Sequence, residues 1–209
     1  PVPDDILNAG ARQMIDHRGP EFQSILSNVT EGLKLVFGTK GDLLILTGSG
    51  TSAMESAVVN TLSSGDKVLA ISIGVFGTRF ADIASVYGVD VQRVNYEFGE
   101  AASPSDIATI LSQDPEIKAV MVTHNETSTG VTNDIKAIAK IVKEDSNRLL
   151  LIDAVSSLGS IPCPVDELGA DVVISGSQKG WMVPPGLAMV AMSTRAWEAY
   201  EQSNLPKFY

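Results

Sequence analysis

Seven stretches of the chain are strand-like, and several of them are almost continuously apolar: LLILTG (43–48), KVLAISI (67–73), VQRVNY (91–96), AVMVTH (119–124), LLLIDAV (149–155), VVISGS (172–177) and LAMVAM (187–192). A half-exposed strand alternates apolar and polar positions, so runs this solid predict strands covered on both faces. Between them the apolar spacing turns helical, in SAMESAVVNTLSS, TRFADIASVYG, PSDIATILSQ and DIKAIAKIVKEDS, and again near the end in TRAWEAYEQ. Pro104 suits a first helical turn and Gly88 a helix end. Ser52 and Glu55 have the spacing of a capping box. Strand and helix alternating through short links predict an α/β fold: a mainly parallel seven-stranded sheet sandwiched by helices. One strand, LAMVAM, is expected to run antiparallel, because KGWMVPPG is too short to hold a crossover helix. No repeat, low-complexity tract or linker divides the chain, so residues 1–209 read as one domain.

Composition narrows the function without naming it. The chain is 44% hydrophobic and 19% charged, values of an ordinary soluble globular protein with a substantial core. Its formal net charge is −10 with lysine and arginine scattered, so no basic stripe is offered to a nucleic acid. No apolar run approaches the ~18 residues of a membrane span, and PVPDDILNAG has no signal-peptide pattern; no membrane partner and a cytoplasmic location are expected. The single cysteine, Cys163, cannot form an intrachain disulfide and reads as a small core hydrophobe. One cysteine and two histidines supply no zinc-ligand set, so no metal is expected.

Ligands of an open α/β sheet bind beyond the carboxyl ends of its strands, and four such places carry chemistry. After the first strand, TGSGTSAMES is a small-residue loop entering a helix. Its free amides and the Ser49, Thr51 and Ser52 hydroxyls suit a phosphate, although a tight turn without a ligand fits the same residues. Gly48, Gly50 and Ala53 also satisfy the dinucleotide fingerprint, but the second strand ends AISIG, without the acidic residue that would hold a ribose. Asp153 follows four apolar residues, where an ionised carboxylate needs a cation or a strong donor, or else caps a turn. Lys179, in SGSQKGW, lies 26 positions further on, past one short crossover and another strand, so in a parallel sheet both side chains can reach the same crevice. An amine, a carboxylate and a phosphate cradle are what pyridoxal phosphate requires: a Schiff base to the aldehyde, a partner for the pyridine nitrogen, and donors for the phosphate.

Four motifs in order, TGSGTSAMESAVVN, HNETSTGV, LLLIDAVSSLG and SGSQKG, resemble the large domain of the class V pyridoxal-phosphate aminotransferases of fold type I, and the alanine–glyoxylate and serine–glyoxylate group in particular. The resemblance covers essentially the whole chain. It implies that Lys179 holds the cofactor and shuttles the Cα proton, and that Asp153 pairs with the pyridinium nitrogen. Ser49, Gly50, Thr51 and Gln178 would bind the phosphate, and Thr127 the phenolic oxygen. Phe76 falls where the family stacks an aromatic ring, often tryptophan, on the pyridine; an ordinary core phenylalanine is the plainer alternative. The resemblance also implies small amino-acid and 2-oxo-acid substrates and a homodimer. Family members continue into a smaller C-terminal domain that supplies the arginine for the substrate carboxylate, so the chain is expected to be a cofactor domain cut at both ends.

Plainer roles are expected elsewhere. His124 reads as a satisfied structural histidine, DHRGPEF (16–22) as a solvated loop or an interface segment, and Trp181 and Met182 as packing behind the lysine. Three functions stay open: a transaminase moving an amino group from alanine or serine to glyoxylate, a lyase or desulfurase of the same fold, and a non-catalytic cofactor-binding fragment. Cys163, held between two prolines in IPCPV, is poorly placed to be a desulfurase's mobile nucleophile.

Overall fold

The computed structural model describes residues 2–208. Helices α1 (Asp4–Gly10) and α2 (Pro20–Phe37) lead into β1 (Asp42–Thr47), α3 (Gly50–Thr61), β2 (Lys67–Ser72), α4 (Val75–Val86) and β3 (Asp90–Asn95). Then come α5 (Pro104–Gln113), β4 (Ala119–Thr123), a small ribbon of β5 (Asn125–Glu126) and β6 (Val131–Thr132), α6 (Ile135–Val142) and β7 (Leu149–Asp153). The chain closes with α7 (Val165–Leu168), β8 (Val172–Gly176), β9 (Leu187–Met192) and α8 (Thr194–Gln202).

Seven strands form one sheet in the order β1-β9-β8-β7-β4-β2-β3. All neighbouring pairs are parallel except those of β9, which runs antiparallel to both β8 and β1. This is the architecture expected from the apolar runs. The central runs are solid because successive side chains enter different cores, whereas β1 and β3, at the two edges of the sheet, are not covered on both faces as expected and keep exposed positions. Val120, Val122, Leu150, Ile152 and Val173 point into one cluster, against α5 and α6, whereas Met121, Leu149, Leu151, Val172 and Ile174 point into the other, against α3, α4 and α8.

Helix boundaries show which local signals operate. Pro104 opens α5, where the Ser103 side chain accepts from the Asp106 amide, and Gly88, at φ 76°, ends the turn after α4. The expected capping box does not form. Helix α3 starts three residues earlier than that spacing implies, at Gly50 with Ser49 as N-cap. Ser52 is therefore already helical, and its hydroxyl donates to the Ser49 carbonyl at 2.6 Å, while Glu55 accepts from the Tyr87 hydroxyl. Helices α1 and α2 lie outside the expected set, and Pro20 makes the end of DHRGPEF the first turn of α2.

Candidate active site

The C-terminal edge of the parallel strands surrounds a cavity of about 250 Å³. It is lined by Ser49, Gly50 and Thr51 after β1, Phe76 after β2, Thr127 after β4, Asp153 at the end of β7, and Gln178 and Lys179 after β8. All eight residues singled out in the sequence thus meet at one place, although their strands lie apart in the chain. Met54, Arg79, Val155 and Ser156 complete the lining.

The approach of the elements depends on glycine. A Cβ on Gly50 would stand 2.8 Å from Val155 Cγ2, and one on Gly176 would stand 3.5 Å from the Gly50 nitrogen, so the start of α3 sits directly against the ends of β7 and β8. Ser49 gives α3 no side-chain cap. The first amides of the helix are left at the cavity with the positive end of its dipole, a favourable place for an anion.

Asp153 is only 2% exposed. Its Oδ1 accepts from the Val155 amide at 2.9 Å and its Oδ2 from the Thr123 hydroxyl at 3.3 Å. Burial nevertheless pushes its carboxyl up to about 6, against those two donors and the more distant Arg79 charge, with Glu126 adding to the rise. Of the partners the sequence left open for it, a cation, a strong donor or a turn to cap, the described residues provide two neutral donors, one of them the amide two positions on. Lys179 is half-buried in the turn between β8 and β9. Trp181 packs behind that turn, its indole N–H donating to Ser175 Oγ at 2.9 Å and its ring stacked on Phe37 at 6.0 Å. Met182 does not join it: the tight reversal toward β9 puts Met182 at φ 54° and leaves it 55% exposed.

Phe76 is partly buried at the start of α4, with the Arg79 guanidinium 4.8 Å from its ring centroid. Arg79 Nη1 donates to Thr51 Oγ1 at 3.3 Å, linking the two helix starts. Sequence reasoning passed over Arg79, although its place one helical turn after Phe76 carried the signal. Ser156 left no such trace, since its hydroxyl donates to the carbonyl of Asn125, 31 positions away. His124 is buried away from the cavity, and burial lowers its pKa; contrary to expectation its Nδ1 has no hydrogen-bond partner among the described residues.

These residues fit pyridoxal phosphate. A primary amine, a buried carboxylate short of positive charge and an uncapped helix start with hydroxyls beside it are complementary to an aldehyde, a pyridinium nitrogen and a phosphate. The fold and this edge together define the large domain of fold type I. The chain belongs to the aminotransferase class-V family, whose profile matches residues 5–205.

Individual relatives carry different names. The chain is 47% identical over 211 residues to a soluble hydrogenase 42 kDa subunit of Anabaena cylindrica, covering 100% of the chain and 55% of that protein. It is 44% identical over 204 residues to a serine–glyoxylate aminotransferase of Methylorubrum extorquens, covering 96% of the chain and 51% of the relative. The crystal structure of an alanine–glyoxylate aminotransferase from Nostoc sp. superposes with a TM-score of 0.91 at 32% identity, over 96% of this chain and 53% of that one. A cysteine desulfurase from Thermococcus onnurineus, at 16% identity and a TM-score of 0.74, shares the fold alone. The chain spans about half the length of the curated relatives it matches.

Proposed function

We propose that residues 1–209 are the cofactor-binding large domain of a pyridoxal-phosphate-dependent aminotransferase, moving the amino group of a small amino acid, alanine or serine, to glyoxylate or another 2-oxo acid. The carrying observation is that Lys179 and the buried Asp153 share one cavity with the uncapped start of α3. When bound, pyridoxal phosphate supplies an aldehyde and a ring that accepts the electron pair left as a proton leaves the substrate Cα.

In this proposal Lys179 is the amine that bonds the aldehyde and, once displaced by substrate, takes the Cα proton on Nζ and returns it. Asp153 keeps a proton on the pyridine nitrogen, which a buried carboxylate with no cation bonded to it among the described residues is suited to do. Ser49, Gly50, Thr51 and Gln178 hold the phosphate, the Thr127 hydroxyl donates to the phenolic oxygen, and Phe76 offers a π face to the ring.

The desulfurase alternative finds no support in Cys163, which is 1% exposed and whose thiol burial pushes up to about 12, far from a reactive thiolate. Nor does the cavity's set of one amine, one carboxylate and small hydroxyls favour the hydrogenase name of the Anabaena relative. A cytoplasmic homodimer belongs to the same proposal. Its support is that no helix among the described residues is long and apolar enough to cross a membrane, and that α2 leaves Phe22, Ile25, Leu26, Val29 and Val36 exposed as a stripe. Light scattering that stays at monomer mass across a dilution series would remove the dimer from it.

The catalytic proposal is tested by half-reactions on the cofactor-loaded, full natural protein. Alanine or serine is expected to bleach the aldehyde-form absorbance, glyoxylate to restore it, and Lys179→Ala to abolish both changes. Absorbance indifferent to every small amino acid contradicts a transaminase.

A further inference from the structure

We propose that Glu126 is a positioning residue that fixes Phe76 and Thr127 as two walls of the cavity through one buried carboxylate; this rests on the cofactor proposal above. Glu126 is 0% exposed, although it lies in the wholly polar stretch NETSTG. An ionised carboxylate at such depth is costly unless its oxygens are matched by donors. Here they are. Oε2 accepts from the Phe76 amide at 3.0 Å and the Gly77 amide at 3.2 Å, and Oε1 accepts from the Ser128 amide at 3.1 Å and the Ser128 hydroxyl at 2.8 Å.

Helix α4 needs this help because its N-cap is Gly74, which has no side chain to cap with. Its first amides are satisfied from about fifty positions further along the chain: Phe76 and Gly77 by Glu126, and Val75 by Ser128 Oγ at 3.2 Å. A negative charge at a helix N-terminus is further stabilised by the helix dipole. Gly74 is also what lets the carboxylate in, since a Cβ there would meet Glu126 Cγ at 2.5 Å and Ser128 Oγ at 2.7 Å. Thr127 stands between the two residues that make the clamp, so its backbone is held from both sides. The arrangement calls for a carboxylate in particular. It accepts at every lone pair, whereas the amide of a glutamine would turn an N–H₂ donor toward backbone donors.

The test is Glu126→Gln. In the cofactor-free protein, amide exchange in the 75–78 segment is expected to speed up on the order of tenfold while β4 and β7 stay unchanged, and the dissociation constant for pyridoxal phosphate to rise on the order of tenfold, the size expected for a lost hydrogen bond to a charged group. In a Phe76→Ala background, Glu126→Gln is expected to add much less to that constant, because the ring whose backbone Glu126 holds is already gone. Unchanged exchange at 75–78, or fully additive effects on the constant, overturns the proposal. Should Glu126→Gln not fold, Ser128→Ala keeps the carboxylate but removes one of its donors together with the acceptor of the Val75 amide, so exchange is read at Phe76 and Gly77: a smaller effect of the same sign there supports the clamp, and no effect there overturns it. Failure of the cofactor proposal is separately visible as wild-type protein that binds no pyridoxal phosphate, while the exchange arm still reports the clamp.

Discussion

Asp153 ends β7 with two neutral donors and, among the described residues, no cation bonded to it, so its protonation state bears on folding as well as on the site. Burial raises the carboxyl from 3.8 to about 6. Between those values the folded protein holds a proton that the unfolded chain has released, so stability falls as pH rises through that window, by about 3 kcal/mol in all. His124 slopes the other way: its pKa is lowered by burial from 6.5, so its contribution is present above 6.5 and lost as pH falls. The difference between wild type and Asp153→Asn isolates the carboxylate. Cofactor-free Asp153→Asn is expected to lack the decline between pH 4 and 7 in urea midpoints, and parallel curves would contradict the desolvation described. Asp153 was legible because four apolar residues precede it. Glu126 was not, since NETSTG looks like an exposed loop and its burial comes from α4, about fifty positions earlier in sequence.

At the scale of elements, the seven sheet strands and helices α3 to α6 and α8 were all legible, because their apolar runs and periods are set by the two cores they fill. The antiparallel course of β9 followed from the length of its link. The capping box at Ser52 failed because Gly50, free of a Cβ, lets the helix begin earlier, hard against Val155. Helix α2 was overlooked although Pro20 at its start, Gly38 at its left-handed end, and Phe22, Ile25, Leu26 and Val29 on one side all mark it. The contact of α3 with β7 makes Gly50 a sensitive position. Val155 is β-branched and stiff, so in Gly50→Ala the helix start must shift rather than the valine. Gly50→Ala is expected to weaken pyridoxal-phosphate binding by about tenfold, as for loss of one charge-assisted bond, and to lower the urea midpoint as well, since the buried contact is overpacked. Unchanged binding in a titration of cofactor against protein would show that the α3 start does not hold the phosphate.

For the whole molecule, the rule that ligands gather beyond the carboxyl ends of parallel strands points to the same sheet edge at which the cavity lies. The sheet order brings Ser49, Phe76, Thr127, Asp153 and Lys179 to one cavity, although 130 positions separate the first from the last. What that rule does not reveal is how the walls are tied to one another. The Arg79–Thr51 bond, the Glu126 clamp and the Ser156–Asn125 pair all cross between segments that are remote in sequence. The central claim is that Lys179 is the amine of a pyridoxal-phosphate site, and other lysines, Lys140 and Lys143, line a separate surface groove beside α6. Borohydride reduction of the cofactor-loaded protein followed by peptide mapping addresses that claim directly: the pyridoxyl label is expected on Lys179 and to vanish in Lys179→Ala, whereas a label on Lys140 or Lys143 with Lys179 unmodified would contradict it.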